Sequence, residues 1–345
     1  MHSSSRSNMF AFLMALAVAI SGTGTMRAAQ PANAAAASPV VPHYDHIFLI
    51  VDENHGFAQI IGNPAAPNIN RLANTFGLAT SYFSVTDPSA PNYVAMLGGN
   101  FFGIADDNAY YTRTVDKPSL MSQLDAAGLA WKGYFQSMPY AGFRGICYPV
   151  KCNGVPDIDP LYASKHNGIP YFKSIQDSAS EFAKLGPLEQ LSDDLENNTV
   201  PAFGYIIPDQ CNDMHGAPSY CIDGGNPGDV QDNQLVRQGD AFIAQVVSQI
   251  TSASFWSGGN NAIVITFDEG ADGDKSGCCD ANPGTGKVVT VVITSHGPRG
   301  LKDPTPYNHF SLLQTFQRAF GLGCLEFTCD TANVTPMAPL FAVNK

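Results

Sequence analysis

Two apolar segments of the chain each end in a pair of acidic residues. The first is His46-Ile-Phe-Leu-Ile-Val51, followed by Asp52-Glu53-Asn54-His55, and the second is Asn261-Ala-Ile-Val-Ile-Thr-Phe267, followed by Asp268-Glu269-Gly270. Short runs of β-branched and aromatic residues without polar alternation are typical of strands that are buried on both faces of a parallel sheet. The two segments therefore predict inner strands of an α/β sheet.

The acidic residues predict a metal site at one edge of this sheet. Ligand sites lie beyond the carboxyl ends of parallel strands, so two strands with the same direction bring together Glu53, Asn54, Asp268 and Glu269. Clustered carboxylates repel one another unless a cation lies between them. The alternative is that the acids merely end their strands and face water, an interpretation that suits one such strand better than two.

The charge balance excludes one class of partner. The chain of 345 residues has a formal net charge of −12, with 44% hydrophobic and 14% charged residues. This composition is typical of a globular protein with a lightly charged surface. Sequence-independent binding of nucleic acid needs a basic surface, so we expect no nucleic-acid partner. An acidic protein that acts on anionic substrates must concentrate positive charge locally, and a metal ion would supply it.

Residues 1–37 are predicted to be a secretory signal peptide. Arg6 precedes the apolar run from Met9 to Ile20, and small residues with several Ala-x-Ala sites follow up to Ala37. This order of basic, apolar and small residues is that of an export signal, and the apolar run is too short for a confident membrane span. We therefore expect a secreted or periplasmic protein without stable membrane insertion.

The eight cysteines agree with an oxidising compartment. Three pairs are close in sequence: Cys147 with Cys152, Cys211 with Cys221, and Cys324 with Cys329. These spacings differ from the CxxC pairs of zinc sites, so disulfides are favoured over thiolate ligands. The adjacent Cys278 and Cys279 either bridge each other under strain or pair elsewhere.

Helical and strand patterns alternate along the rest of the chain. They predict helices at residues 68–76, 118–127, 181–195, 233–250 and 310–320, and strands at residues 79–85, 130–135, 202–207 and 287–294. This order is typical of a doubly wound α/β fold with a mainly parallel sheet, and we expect one domain at residues 38–345. Residues 138–170 lack periodicity and are interpreted as a long loop over the site.

Ser89 is the candidate hydroxyl nucleophile. It lies in Asp87-Pro-Ser-Ala-Pro-Asn-Tyr93, ahead of a helix that is predicted to begin near Asn92. A serine before a helix offers its oxygen and nearby N–H groups to an anion. Taken on this segment alone, a simple N-cap serine is the more common role.

Two histidine segments supply further candidates. In Asn212-Asp-Met-His215, Asp213 and His215 project in the same direction if the segment is extended, which suits phosphate contact or proton delivery. His309 precedes the predicted helix at residues 310–320 and either caps it or reaches the site. As isolated residues, Asp213 and His215 are ordinary polar residues of loops.

Together, the segments resemble a secreted phosphoesterase family of acid phosphatases and bacterial phospholipases C, within the alkaline phosphatase superfamily. The resemblance covers most of residues 44–323. Its blocks occur in the order of the family: His46-Ile-Phe-Leu-Ile-Val-Asp-Glu-Asn-His-Gly-Phe57, Asp87-Pro-Ser-Ala-Pro-Asn-Tyr93, Asn212-Asp-Met-His215, Ile265-Thr-Phe-Asp-Glu-Gly270 and Tyr307-Asn-His-Phe-Ser311. Each block is weakly specific, whereas five in order are strongly specific. The resemblance implies an alkaline-phosphatase-like α/β fold.

The resemblance also implies roles for single residues. Glu53, Asn54, Asp268 and Glu269 would bind one divalent metal ion, for which oxygen ligands favour Mg²⁺, Ca²⁺ or Mn²⁺. Ser89 would attack phosphorus and form a phosphoserine. Asn92, His215 and His309 would hold phosphoryl oxygens or protonate the leaving group. The chain departs from many relatives at Gly56, where they have Ser, and at Asp87, where they have His.

The sequence therefore predicts a secreted, metal-dependent acid phosphatase that hydrolyses small phosphate monoesters. One alternative is a phosphodiesterase of the phospholipase C type, although no lipid-binding helix or added domain is visible. Another is a non-catalytic secreted binding protein on the same fold. The departures from many relatives at Gly56 and Asp87 favour keeping this alternative. The sequence does not indicate the oligomeric state.

Overall fold

A nine-stranded mixed sheet forms the centre of the computed structural model, which describes residues 40–154, 160–222, 228–270, 273–279 and 286–343. The strands are β1 His46–Asp52, β2 Gly77–Phe83, β3 Trp131–Phe135, β4 Cys147–Tyr148, β5 Tyr162–Ala163, β6 Leu185–Pro187, β7 Phe203–Ile207, β8 Asn261–Phe267, β9 Lys287–Thr294, β10 Leu301–Asp303 and β11 Tyr307–Asn308. Their order in the large sheet is β10-β2-β9-β8-β1-β7-β3-β6, and β11 pairs with β2. A separate two-stranded sheet contains β4 and β5.

The sheet is mainly parallel, as the sequence predicted. Strand β1 runs parallel to both β7 and β8, whereas β9 is antiparallel to its neighbours β8 and β2. Every residue of β8 is buried, and in β1 only His46 is partly exposed. Their runs of Ile, Val, Leu and Phe lie between helices on both faces, which explains the absence of polar alternation.

Nine helices pack around the sheet within the described ranges. They are α1 Phe57–Ile60, α2 Pro67–Thr75, α3 Ser89–Gly98, α4 Leu120–Ala126, α5 Lys173–Gln176, α6 Ala179–Phe182, α7 Gln190–Glu196, α8 Val230–Ser252 and α9 His309–Ala319. Helix α8 buries Leu235, Val246 and Ile250, as its pattern predicted. None of the described helices is long and apolar enough to cross a membrane.

Two predicted elements were wrong in extent. The helix expected at residues 181–195 is two helices, α6 and α7, separated by the edge strand β6. Gly186 and Pro187 lie in this strand, and proline interrupts a helix because it lacks the N–H donor. The helix expected to begin near Asn92 begins at Ser89, since the first turn of a helix tolerates Pro91.

The three disulfides predicted from spacing are present: Cys147–Cys152, Cys211–Cys221 and Cys324–Cys329. The pairing of the adjacent cysteines, which the sequence left open, is Cys278–Cys279. Residues 39–345 form one compact unit. The predicted leader at residues 1–37 lies outside the described residues, and its assignment stays a prediction.

A buried carboxylate connects α8 to the beginning of α2. Both Asp240 oxygens accept hydrogen bonds from α2, at 3.1 Å from the Asn68 backbone nitrogen, 2.8 Å from its amide nitrogen and 2.7 Å from the Ile69 nitrogen. The first N–H groups of a helix have no partner within the helix, and a negative charge there also interacts favourably with the helix dipole. Asp240 therefore fixes the beginning of α2 against α8.

We expect Asp240→Ala to lower the free energy of unfolding by about 3 kcal/mol, because the buried Ile69 N–H and the half-buried Asn68 N–H lose a charged acceptor. Chemical denaturation followed by circular dichroism measures this change. The control is Asp177→Ala, which removes an exposed carboxylate and should change stability by less than about 0.5 kcal/mol. Equal effects of the two substitutions would contradict the capping role of Asp240.

Candidate active site

The parallel pairing of β1 with β8 brings the two acidic segments together. Asp52 is opposite Phe267 in the register, so Glu53 and Asp268 leave the sheet at the same level. The Asp268 nitrogen donates to the Asp52 carbonyl at 3.0 Å, and the Asn54 nitrogen donates to Asp268 Oδ1 at 3.3 Å. Glu53 and Asp268 are fully buried. The carboxyl ends of β1 and β8 therefore lie side by side, as the sequence predicted.

The contribution of Asn54 to this cluster is through its backbone. Its side chain is exposed, and its φ of 55° lies in the left-handed region, which asparagine adopts more readily than most residues. Metal ligation by the Asn54 amide stays a prediction.

Ser89 is buried at the first position of α3, beside Glu53. Its Oγ donates to Glu53 Oε2 at 3.1 Å, and Tyr93, one turn later on α3, donates from its hydroxyl to Glu53 Oε1 at 2.6 Å. Residues four apart lie on the same face of a helix, so the two hydroxyls contact the same carboxylate. The start of α3 thus holds Ser89 against the acidic cluster.

Asn92 stabilises the loop that leads into α3. Its Oδ1 accepts from the nitrogens of Val85 and Thr86 at 3.3 and 3.1 Å, and its Nδ2 donates to the Thr86 carbonyl at 2.8 Å. The same Nδ2 lies 3.3 Å from Glu269 Oε2. The amide expected to contact substrate is therefore largely engaged with the protein, and its contact with phosphate stays a prediction.

The loop after β7 supplies Asp213 and His215. The Asp213 carbonyl accepts from the Glu53 nitrogen at 2.8 Å, and its Oδ1 accepts from the His215 nitrogen at 2.7 Å. The Oδ2 lies 3.1 Å from His166 Nδ1. Asp213 thus connects three segments of the site, and this contact with His166 orients the imidazole ring rather than a substrate.

Lys165 and His166 belong to the same site and were missed from the sequence. They lie on the 3-10 turn Ser164–His166 and are both buried. Lys165 Nζ is 3.3 Å from His215 Nε2 and 3.8 Å from Asp107 Oδ2, and Asp107 Oδ1 accepts from the Ala90 nitrogen of α3. The only signal was the polar pair Lys165-His166 inside a segment interpreted as a loop over the site.

The hydrogen bonds of the two histidines define their tautomers. Nδ1 of His166 faces the Asp213 carboxylate, and Nδ1 of His215 lies 3.0 Å from the Gly216 carbonyl. Each Nδ1 therefore carries the proton, and each Nε2 presents a lone pair to the site. Burial lowers the pKa of His215 to about 3 and holds the pKa of His166 well below its usual value, with the Lys165 charge contributing to both. Both rings are neutral at neutral pH.

Burial also disfavours the charged forms of the carboxylates. Desolvation raises the pKa of Asp268 to about 6. It raises the pKa of Glu269 to about 10, with the charge of Asp268 as the next cause. The pKa of Glu53 lies well above its usual value, first because of burial and then because of the Asp268 and Asp213 charges. Such a cluster is stabilised in its ionised form by a cation.

Buried side-chain atoms without hydrogen-bond partners show that the side chains of this cluster suit a metal ion. Asp268 Oδ2 is buried without a hydrogen-bond partner, and His166 Nε2, also without one, lies 3.3 Å from Glu53 Oε1. Two acceptor atoms in such contact need a proton or a cation between them. Glu53, His166 and His215 each place one ligand atom within 4.8 Å of the others. This buried group can hold a metal ion.

His309 is fully buried behind the cluster. Its Nε2 lies 2.6 Å from the Asp268 carbonyl, and its Nδ1 lies 3.0 Å from the Tyr82 hydroxyl. Burial lowers its pKa to about 4. Since both ring nitrogens have protein partners, this geometry favours His309 as a positioning residue for the Asp268 backbone over direct proton delivery, which stays a prediction.

Comparison with known proteins identifies the family. A family model described as "Phosphoesterase family" matches residues 63–323, which is most of the chain. The chain belongs to this phosphoesterase family. It is accordingly a phosphoric ester hydrolase, as the sequence predicted.

Curated relatives of this phosphoesterase share about a quarter of its residues. A phosphatidylinositol-3-phosphatase of Mycobacterium tuberculosis is 28% identical over 300 residues, which cover 87% of this chain and 84% of the relative. A phosphate-repressible acid phosphatase of Penicillium chrysogenum is 27% identical, covering 96% and 75%. An acid phosphatase of Aspergillus fumigatus is 26% identical, and there the match covers 76% of this chain but 52% of the relative.

Solved structures support the fold of the phosphoesterase. A protein in the alkaline phosphatase superfamily from Vibrio parahaemolyticus superposes with a TM-score of 0.50 and 14% identity, covering 82% of this chain and 68% of the other. A phosphonate monoester hydrolase of Agrobacterium radiobacter gives a TM-score of 0.53 and 13% identity, covering 86% and 77%. At these identities the similarity concerns the fold alone, which is α/β as expected.

A glycine after the 3-10 turn allows the missed residues to approach α3. Gly168 has a φ of +70°, and a Cβ at this position would lie 2.9 Å from backbone atoms of Tyr93. We expect Gly168→Ala to destabilise the protein by about 3 kcal/mol, because a steric clash adds to the cost of the left-handed conformation. Hydrolytic activity should fall at least about tenfold as Lys165 and His166 move.

Gly128→Ala is the matched control for this prediction. Gly128 has a φ of +69°, but no atom lies within 4 Å of the position that a Cβ would occupy, so its substitution costs about 1 kcal/mol of backbone strain alone. Thermal unfolding and hydrolysis of p-nitrophenyl phosphate are measured for both. Equal losses in the two variants would mean that the close approach to Tyr93 has no role.

Proposed function

We propose that the chain is a secreted, metal-dependent phosphomonoesterase in which Ser89 is the nucleophile. The observation that carries this proposal is the hydrogen bond of 3.1 Å from Ser89 Oγ to Glu53 Oε2, at the start of α3 and inside a buried cluster of carboxylates. Curated relatives named as acid phosphatases and as a phosphatidylinositol phosphatase support monoester hydrolysis.

The ligands proposed for one divalent cation are Glu53, Asn54, Asp268 and Glu269. Asp268 Oδ2 is buried without a hydrogen-bond partner, and the charges of Asp268 and Glu269 both act on the buried Glu53 carboxylate. Oxygen donors suit Mg²⁺, Ca²⁺ or Mn²⁺. Such a cation would favour loss of the Ser89 hydroxyl proton and would offset the charge of the phosphoryl oxygens.

The alternative ligand set, Glu53 with His166 and His215, is less favourable because of Lys165. The ammonium nitrogen lies 3.3 Å from His215 Nε2, so it donates to the lone pair that a metal would use. The buried Lys165 ammonium would also repel a metal ion bound to His215 Nε2. We therefore assign this half of the site to the phosphoryl group.

Phosphoryl oxygens would be held between Lys165 and the beginning of α3. Lys165 is the basic side chain that reaches the site among the described residues, and it is 5% exposed. In a site with little water, an ammonium and the positive end of a helix interact strongly with an anion. This local positive charge allows an acidic protein to bind an anionic substrate.

The reaction proceeds in two displacements. Ser89 Oγ attacks phosphorus and gives its proton to Glu53 Oε2, while the bond from phosphorus to the ester oxygen breaks and the leaving oxygen takes a proton from water. The hydroxide left by that water then attacks the phosphoserine from the side that the leaving oxygen vacated, and Ser89 Oγ leaves with the proton held by Glu53 Oε2. The contributions of the protein to phosphoryl transfer are positioning and stabilisation of charge.

Export is proposed from the leader-like residues 1–37 and supported by the disulfides. Four disulfides connect described cysteines, and such bonds persist in oxidising compartments. Phosphate esters outside the cytoplasm would be its substrates.

The first experiment compares hydrolysis of p-nitrophenyl phosphate with that of bis-p-nitrophenyl phosphate, for the wild type and Ser89→Ala. We expect faster cleavage of the monoester, inhibition by a chelator, and a loss of at least about a thousandfold in Ser89→Ala. The control is Ser180→Ala, in which an exposed hydroxyl is removed. A near-wild-type rate of Ser89→Ala would remove it as the nucleophile, and faster cleavage of the diester would indicate a phosphodiesterase.

Elemental analysis of variants distinguishes the two ligand sets. We expect Asp268→Asn to lower the metal content per protein several-fold, because the amide replaces a charged ligand. His215→Gln should retain the metal and instead raise KM for the monoester. Retention by Asp268→Asn together with loss in His215→Gln would contradict the oxygen set and favour Glu53, His166 and His215.

A further inference from the structure

An exposed group of aromatic and basic side chains lies beside the active site. We define the tyrosine–basic surface as Tyr140, Arg144, Tyr148 and Lys151. Tyr140 is 60% exposed and Tyr148 is 40% exposed, while Arg144 and Lys151 are also exposed. Exposed aromatic side chains that lie together, unlike single ones, mark interaction sites.

The two tyrosines are held by a chain of ring contacts that leads into the core. The Phe143 ring is 5.5 Å from Tyr140, 6.1 Å from Tyr148 and 5.9 Å from the buried Tyr162. Edge-to-face contacts of this kind are favourable and fix the ring orientations. The disulfide Cys147–Cys152 closes the loop that carries Tyr148 and Lys151. The Tyr140 and Tyr148 side chains are therefore held in place by their contacts with Phe143 and, through it, with the core.

The charge of this surface is opposite to that of the protein as a whole. The chain contains 30 acidic residues and has a formal net charge of −12, yet residues 126–156 include neither Asp nor Glu. Among the ion pairs of the described residues, none involves Arg144 or Lys151. The surface thus combines exposed aromatic rings with two basic side chains that form no ion pair among the described residues. The Arg144 guanidinium also donates to the Gln176 carbonyl at 3.0 Å and lies 4.0 Å from the centre of the Phe182 ring.

Backbone hydrogen bonds connect the surface directly to the active site. Tyr148 pairs with Tyr162 in the β4–β5 sheet, and the Ser164 nitrogen donates to the Ile146 carbonyl at 2.8 Å. Ser164 begins the 3-10 turn that carries Lys165 and His166. Tyr140 follows the end of β3, which is the same edge of the sheet as the catalytic cluster. The surface is therefore joined through the backbone to the turn that carries Lys165 and His166.

We propose that the tyrosine–basic surface docks the protein on an anionic phospholipid membrane. Tyrosine places an apolar ring and a polar hydroxyl at the level of lipid headgroups, and each Lys or Arg near an anionic leaflet adds an electrostatic attraction. The charge complementarity selects an anionic lipid surface over other partners. If the proposed function holds, on which this consequence rests, the substrates are phosphate monoesters presented at a membrane.

The test measures cosedimentation with vesicles of phosphatidylcholine alone and with about one third phosphatidylserine, which carries no phosphate monoester. We expect binding to the anionic vesicles only, weakened at least about fivefold in Tyr140→Ser/Tyr148→Ser and in Lys151→Glu, and reduced by salt. The controls are Val40→Ser and Lys302→Glu, which change exposed residues outside the tyrosine–basic surface, the second of them on the edge strand β10. All proteins are compared in the same form, so that the apolar run at residues 9–20 contributes equally.

Two outcomes would overturn the docking surface: absence of binding to anionic vesicles, or binding by the surface variants that equals that of the controls. Hydrolysis of soluble p-nitrophenyl phosphate is measured on the same samples and should be equal in all variants. Cleavage of phosphatidic acid in vesicles should fall with the surface variants alone. If vesicle binding depends on the surface while neither ester is cleaved, the docking proposal stands and the proposed function fails.

Discussion

The burial of several carboxylates at one sheet edge is the constraint on which the rest of the active site depends. Parallel pairing of β1 with β8 forces Glu53 and Asp268 to the same level, where neither can be solvated by bulk water. The neighbouring elements contribute the groups that surround these carboxylates. The start of α3 supplies the hydroxyls of Ser89 and Tyr93, the loop after β7 supplies a carbonyl for the Glu53 nitrogen, and the 3-10 turn supplies Lys165. A divalent cation completes this arrangement in the proposed mechanism, because buried like charges otherwise hold protons.

Much of the fold could be predicted because its signals are local. The inner strands are continuous runs of Val, Ile and Phe, and β9 has the predicted bounds, Lys287–Thr294. The longest helix, α8, was predicted at residues 233–250, and its Leu235 and Ile250 are buried. Prediction failed where single residues override a pattern. The pair Gly186-Pro187 divides a segment of helical composition, and Pro91 in α3 displaced the expected helix start although the first turn tolerates it.

The site was predictable only where acids or a serine follow regular elements. Glu53, Asp268 and Ser89 stand at strand or helix ends, so their meeting follows from the direction of the strands. Lys165 and His166 come from a turn without periodicity, whose position depends on the contact of Gly168 with Tyr93 and on the pairing of β4 with β5. Such long-range packing leaves no local pattern. The engagement of Asn92 and His309 with protein partners was equally invisible, because hydrogen bonds between distant segments decide it.

All ten residues of α3, from Ser89 to Gly98, are buried. A surface helix could drift in sequence and shift slightly without unfolding the protein, but a helix enclosed on every side is fixed by close packing around it. We therefore expect Ser89, the proposed nucleophile, to tolerate substitution of its neighbours in α3 as poorly as a residue of the hydrophobic core. Loops at the surface tolerate changes of sequence and length better than such a helix. We therefore expect that directed evolution of substrate specificity would succeed more readily at the loop of residues 138–154, which pairs with the segment that leads into the turn carrying Lys165 and His166, than in α3.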